Sequence, residues 1–343
     1  MTDYTTEIYV RGRWVRVAAL GIDDKTIVIT GRWLKMAIVR SEEWLETELG
    51  NPEQCIRQLK TLRPLLGRAD IFTFTQKLPA THPQYPYRME WDSVAAIRLT
   101  SFTEWWEKLP QETRKNARRS LKRGVVARVT ELNDDLIRGI VEINNESPMR
   151  QGKLFHHYGK DFDAVRRDYS SFIDRSDFIC AYLGEELIGL MKIVYSGKVA
   201  AILQLLSKSS HYDKRPTNAL IAKAVERCEE KGISYITYGK YSYGNKRKSS
   251  LTEFKSRNGF EEILVPRFYV PLTSKGKICI TLKLHRDLVG ILPEKAICFG
   301  VNVRAKWYKL VRFASRCSSM TERPICNRLM GCSNPPAGSN YDP

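Results

Sequence analysis

Three short apolar runs follow one another at residues 178–183, 187–195 and 199–206, parted only by Gly184-Glu185-Glu186 and Ser196-Gly197-Lys198. Breaks that short give consecutive strands no room to separate, so the spacing predicts an antiparallel meander. A polar stretch, 207–215, leads to Pro216 and a segment, 216–231, in which Leu220, Ile221, Ala224, Val225 and Cys228 recur at helical spacing. Proline suits the first turn of a helix, and Gly232 is placed to end it. A strand at 233–238, a helix at 251–258 and a further strand pair or bent strand at 260–270 complete the pattern. Meander, helix, strand, helix and closing strand form a compact α/β unit, and the rest of the chain is organised around it.

Upstream, 7–17 and 25–29 read as strands, with Gly12 at a turn. Ser41 ahead of Glu42-Glu43-Trp44 has the form of a helix start. A helix is expected at 52–62, strands at 71–75 and 94–99, and a loop at 79–87, where three prolines fall. A domain boundary is placed near Thr100. A segment carrying Trp105-Trp106 (102–109) precedes Pro110 and a helix at 111–124 with six cations: Arg114, Lys115, Arg118, Arg119, Lys122 and Arg123. Ala117 and Leu121 leave it a narrow apolar stripe, and Gly124 can cap it. A strand at 125–129 and helices at 133–144 and 163–173 follow. After Pro271, 276–284 reads as extended. The segment 295–312 mixes Lys295, Arg304, Lys306, Lys309 and Arg312 with Val301, Trp307, Leu310 and Val311. That suits a basic amphipathic helix, either on a membrane surface or docked on the body. From Ser318 onward Pro, Ser, Gly and Asn accumulate, and a disordered end is expected.

The formal charge of +18 implies an anionic partner: nucleic acid, an acidic membrane surface or a phosphorylated small molecule. An apolar fraction of 43% suffices for a packed core and argues against global disorder. The polar, mixed start argues against a signal peptide, and no uncharged apolar run is long enough to span a bilayer. The eight cysteines lack paired spacing, which fits reduced, mostly buried thiols and a cytoplasmic setting. Cys317, Cys326 and Cys332 cluster, but without close pairs or a nearby histidine they make a poor zinc site, so no metal is expected.

Residues 144–162 are dense in groups that bind or react: Asn145, Glu146, Arg150, Gln151, His156, His157, Tyr158, Lys160 and Asp161. Such packing of polar and aromatic side chains between two helices suggests a binding loop.

The order of elements resembles the GNAT acyltransferase superfamily, and within it the FemAB-like branch. Three patterns carry the likeness: TRKNARRSLKRGV at 113–125, HYDKRPTNALIAKAV at 211–225 and SLTEFKSRNGF at 250–260. They are similar to the basic helix with its "KxGV", the loop and helix after the central strand, and the "FK…GF" segment of that branch. The resemblance covers about 102–273. It implies an α/β (α+β) fold of two GNAT-like halves, the second with a mixed, splayed sheet flanked by helices. The parts are then an N-terminal mixed α/β half at 1–100, a GNAT-like domain at 101–273, a basic extension at 274–317 and a disordered tail at 318–343.

The resemblance also implies transfer of an acyl or aminoacyl group to an amine, from acyl-CoA or aminoacyl-tRNA. Enzymes of the superfamily that use acyl-CoA carry Gln/Arg-x-x-Gly-x-Gly/Ala ahead of the central helix. Here the run is Lys214-Arg215-Pro216-Thr217-Asn218-Ala219, without the glycines that let a backbone approach a pyrophosphate. The expected donor-binding residues are Leu205, Leu206 and Ser207, through their N–H groups, with Lys214, Arg215, Thr217 and Asn218. Lys255 would offset negative charge, and Tyr241 or Tyr243 would protonate the leaving group. His156, His157 and Glu146 are candidates to deprotonate the amine. Arg150 suits a carboxylate or phosphate, and His157 and Tyr158 would contact the acceptor. An amino sugar or cell-envelope precursor is the expected acceptor, met in the cytoplasm or at the inner face of the membrane. Two other readings remain: a nucleic-acid-binding protein using 114–123, with tRNA as partner, and an inactive GNAT-like scaffold.

Overall fold

The computed structural model describes residues 3–10, 13–61, 69–150, 153–242 and 249–286, and the statements below concern those residues. The chain opens with strands β1 (Asp3–Val10), β2 (Arg13–Ile22), β3 (Lys25–Thr30) and β4 (Met36–Val39), then helix α1 (Pro52–Thr61) and strands β5 (Ile71–Thr75) and β6 (Arg88–Arg98). Helices α2 (Phe102–Lys108) and α3 (Gln111–Lys122), strand β7 (Val125–Thr130) and helix α4 (Asp134–Asn145) follow. A two-residue ribbon of β8 (Met149–Arg150) and β9 (Lys153–Leu154) leads to α5 (Phe162–Tyr169). The predicted meander is β10 (Ser176–Leu183), β11 (Glu186–Ser196) and β12 (Val199–Ser207), followed by α6 (Pro216–Glu230) and β13 (Tyr235–Lys240). Helix α7 (Ser250–Arg257), strand β14 (Glu261–Pro271) and helix α8 (Ser274–Thr281) close the described part.

Apart from the β8–β9 ribbon, the strands form one mixed sheet in the order β1-β2-β3-β4-β5-β14-β6-β13-β12-β11-β10-β7. Strand β6, which precedes Thr100, pairs with β13 on one side and β14 on the other. The meander turns as expected because Gly184 and Gly197 take the left-handed conformation at φ 60° and 58°, open to glycine at little strain. Its alternation puts Ile179, Ala181, Ile188, Met191 and Ile193 into one cluster with Leu220, Ile221 and Ala224 of α6. Phe178, Cys180, Leu187 and Leu190 meet Ile137, Ile140, Ile143 and Val165 of α4 and α5 on the other face. Each Leu or Ile so buried contributes about 1.5–3 kcal/mol.

Two elements differ from expectation. Residues 41–44 form a turn, with Ser41 and Trp44 at φ 55° and 65°, not a helix. The Glu42 carboxylate that would favour a helix start instead accepts the Thr75 N–H at 2.6 Å and pairs with Arg267 at 2.9 Å. The segment expected to be extended at 276–284 is mostly α8, capped by the Thr273 hydroxyl, which accepts the Gly276 N–H at 3.0 Å. Gly276 lies against the Asp70 carbonyl, where no Cβ fits, and this tertiary contact overrides the strand preference of Ile278–Cys279–Ile280–Thr281. The basic segment 295–312, the tail from 318 and Tyr243 lie outside the described residues.

Strands β12 and β13 run parallel but pair only at Val199↔Tyr235, Ala200↔Ile236 and Ala201↔Thr237. Both continue beyond, to Ser207 and Lys240, without pairing each other. Each is irregular where they part. The β11–β12 register shifts between Lys192 and Ile193, leaving Leu203 as an extra residue. The β13–β6 register shifts after Thr237, where Gly239 sits at φ 57°. Bulges of this kind bend a strand and raise its twist. The sheet therefore divides into two arms, β12 and β13, with a gap between them.

Candidate active site at the strand gap

The β12 arm presents main-chain groups to the gap. Lys208 N–H donates to the Ile188 carbonyl of β11 at 2.9 Å. Backbone groups alternate sides along a strand, so Leu206 also faces β11, while Leu205 and Ser207 turn their N–H and C=O groups toward the gap. Leu205 packs its side chain on the α6 side and Leu206 on the α4 side. The Ser207 hydroxyl lies 3.5 Å from that of Thr217 in the first turn of α6.

The binding loop predicted at 144–162 does meet this arm. Arg150 Nη1 donates to the Ser207 carbonyl at 3.0 Å and Nη2 to the Ile143 carbonyl at 2.5 Å, with the guanidinium 4.2 Å from the Phe155 ring centre. Glu146 accepts the N–H groups of Ser209 and Ser210 at 2.6 and 2.8 Å and the Ser210 hydroxyl at 2.8 Å. Partial burial would raise its pKa, but these donors hold the carboxyl below the usual glutamate range. It is a poor proton acceptor there. Asn145 accepts the Gly159 N–H at 2.8 Å and so fixes the turn bearing the histidines.

His157 is buried, and desolvation, aided by the nearby His156 and Lys160, pushes its pKa down to about 3. Its Nδ1 lies 3.2 Å from Lys160 Nζ, which itself pairs with Asp168 at 2.5 Å, so neutral His157 accepts. The His156 ring lies against it at a tilt of 43°, with ring centres 4.0 Å apart. Partial desolvation of the ring and the nearby Lys160 lower its pKa too, although the residue as a whole is exposed. Trp14 donates to Asp168 at 3.1 Å, tying the N-terminal hairpin to this cluster. Tyr158 is exposed.

The loop into α6 is a 3-10 turn, Ser209–Lys214, ending at Arg215 in the left-handed conformation. Lys214 pairs with Asp213 at 3.0 Å, and Arg215 is exposed. Asn218 reaches Asn258, at the end of α7, at 3.5 Å.

On the β13 arm, Lys255 is 1% exposed and donates to the Lys240 carbonyl at 2.6 Å, 4.9 Å over the Tyr238 ring. Desolvation lowers its pKa to about 8. Tyr241 follows β13 and lines two cavities of about 720 and 620 Å³ that share Ser256. The expected residues thus fall on two arms: Glu146, Arg150 and the histidines beside β12, and Lys255 and Tyr241 beside β13.

Four charged residues here, Lys240, Asp92, Arg267 and Lys192, were not singled out in the sequence. Lys240 Nζ lies 3.8 Å from Asp92, and Asp92 holds Arg267 at 2.5 Å. No sequence signal joins β6 to β13. Lys192, fully buried on β11, was visible as a lone lysine inside an apolar run. No group of three His, Cys, Asp or Glu side chains able to hold a metal occurs among the described residues, and none of their helices is long and apolar enough to cross a membrane.

Comparison with known proteins agrees with this geometry. Residues 107–255 match the family model of the acetyltransferase (GNAT) domain. The GNAT-like fold, a mixed α/β sheet flanked by helices, recurs in solved structures. FemX is similar with a TM-score of 0.51 at 10% identity, over 77% of this chain and 88% of that one. The C-terminal domain of a provisionally named lysylphosphatidylglycerol synthetase from Agrobacterium fabrum gives 0.52 at 13% identity, over 77% and 87%. No curated protein matches.

Proposed function

We propose that the chain is a FemAB-like N-acyltransferase that passes an acyl or aminoacyl group to the amine of an amino sugar or cell-envelope precursor. The observation that carries this reading is the three-residue pairing of β12 and β13 inside the segment that matches the GNAT domain. The gap offers the N–H groups of Leu205 and Ser207 to a carbonyl oxygen, where they would stabilise the oxyanion of the tetrahedral intermediate. The amine attacks the carbonyl carbon, His156 takes its proton, and collapse of the intermediate expels the carrier, protonated by Tyr241. Lys255, charged at neutral pH, offsets the developing negative charge. Lys214, Arg215, Thr217 and Asn218 flank the donor, and Tyr158 and His157 the acceptor. Positioning supplies much of the rate in such a site.

Acyl-CoA is the first donor to test. Incubation with acetyl-CoA and a panel of amino-sugar nucleotides is expected to release CoA thiol together with an acetylated product seen by mass spectrometry. Absence of product and of any donor-induced shift in melting temperature would refute acyl-CoA as donor.

The second reading of the donor is aminoacyl-tRNA, favoured by α3. Lys115, Arg118, Arg119 and Lys122 are exposed there, with no carboxylate pairing them among the described residues. Binding of tRNA that falls steeply with salt supports it, and weak binding at low salt removes it. Such a partner places the protein in the cytoplasm, with contact at the inner face of the membrane where the acceptor is lipid-linked.

A further inference from the structure

We infer that Arg150 is a positioning residue for acyl transfer, acting through the main chain of β12 and not by binding an anionic substrate. The inference rests on the acyltransferase reading above. Its guanidinium joins two carbonyls that have lost their regular partners. Ile143 belongs to the last turn of α4, whose carbonyls have no intrahelical donors. Ser207 faces the gap, where β13 no longer pairs. By donating to both, at 2.5 and 3.0 Å, Arg150 replaces the missing strand partner at one point and anchors the end of β12 to α4.

The side chain is committed to this task. It is 12% exposed, stacks on Phe155 and lies 3.8 Å from Glu146, which holds the next two residues of the loop through Ser209 and Ser210. Glu146 and Arg150 thus hold three residues of the segment 207–210 between them: Ser207, Ser209 and Ser210. Fixing the Ser207 carbonyl sets the orientation of that strand end, and with it the direction of the Leu205 and Ser207 N–H groups. A planar, five-donor guanidinium bridges two carbonyls with a fixed angle between them, whereas a lysine ammonium, with three rotatable donors on a flexible stem, imposes no such angle.

The test combines kinetics with amide hydrogen exchange on the full chain, comparing wild type, Arg150→Lys and Arg150→Ala. In the positioning role, kcat falls on the order of a hundredfold in Arg150→Lys while the KM for the acceptor stays within about twofold. Exchange at Ser207–Ser210 quickens in both variants, exchange in β10 does not, and added guanidinium restores rate to Arg150→Ala. A raised acceptor KM with unchanged kcat would make Arg150 a substrate-binding residue and overturn the inference. So would unaltered exchange at Ser207–Ser210. If the wild type transfers no acyl group to any acceptor, the enzymatic reading fails by itself, and the exchange comparison still decides whether Arg150 holds the strand end.

Discussion

Lys255 Nζ donates to the carbonyl oxygen of Lys240 at 2.6 Å, so the ammonium joins α7 to the last residue of β13. Burial strips water from the ammonium, and this desolvation, opposed by the carbonyl and the Tyr238 ring, brings the pKa to about 8. A cationic role then has a defined pH window: the ammonium is present below about 8 and lost above it. The rate of acyl transfer is expected to fall as pH rises through that value. Lys255→Met should lower kcat by roughly ten- to a thousandfold and abolish this limb of the profile. An unchanged rate and profile would remove Lys255 from the site.

Glu146 tests how much the loop depends on one carboxylate. Its pKa is depressed below the ordinary 4.5, so the stability it contributes is fully present above 4.5 and is lost as pH falls through the lower folded value. Glu146→Gln keeps one acceptor and forfeits the charge-assisted bonds, a loss of about 1–3 kcal/mol at pH 7. Urea denaturation should show this gap closing as pH drops below 4.5. Two curves that stay parallel down to pH 3 would contradict the assignment.

Lys192 also has a depressed pKa, but through a burial penalty on its charged form. Its Nζ donates to the Tyr169 carbonyl at 2.7 Å and to that of Ser171, and burial lowers its pKa from 10.5 to about 8. Below 8 the folded chain bears a charge the unfolded chain carries more easily; the unfolded state binds the extra proton between 8 and 10.5. The Lys192 contribution to stability therefore rises over that interval. Lys192→Met should show a smaller rise in melting temperature from pH 8 to pH 10 than wild type. Equal rises would mean that the amine is not desolvated.

Gly259 sits at φ 83°, and a Cβ there would lie 2.8 Å from Trp105 Nε1, whose indole N–H donates to the Asn258 carbonyl at 3.2 Å. Gly259→Ala must strain the backbone and displace the indole, at a cost of about 1–3 kcal/mol. Because α7 ends here, the variant should also lower activity. Chemical denaturation showing no loss would indicate that α2 and α7 are not packed as described.

Much of the β10–β14 region could be read from residues alone, because tight glycine turns and helical spacing are local signals. Segment 276–284 could not: Ile278–Cys279–Ile280–Thr281 has strand preferences, and the Thr273 cap, the approach of Gly276 to Asp70 and the packing of Cys279 and Ile280 on Ile71 accompany the helix instead. Ser41 mimics a helix start for the same reason in reverse, since Glu42 turns inward to Arg267 on β14. In the site, the density of polar groups pointed to Glu146, Arg150 and the histidines. Their roles were hidden because Glu146 and Arg150 mainly meet backbone atoms, at Ser207, Ser209 and Ser210 some 57–64 residues away and at nearby Ile143, which side-chain patterns do not encode. Lys192 was overlooked inside a run read as plain core.

The most direct test of the strand gap is single-residue amide exchange at Leu205 and Ser207, with and without the donor that supports turnover. Binding should slow exchange at both by about tenfold or more, since each N–H gains a hydrogen-bond partner. Unchanged exchange at both, with slowing confined to another part of the chain, would place the acyl group elsewhere and contradict the account.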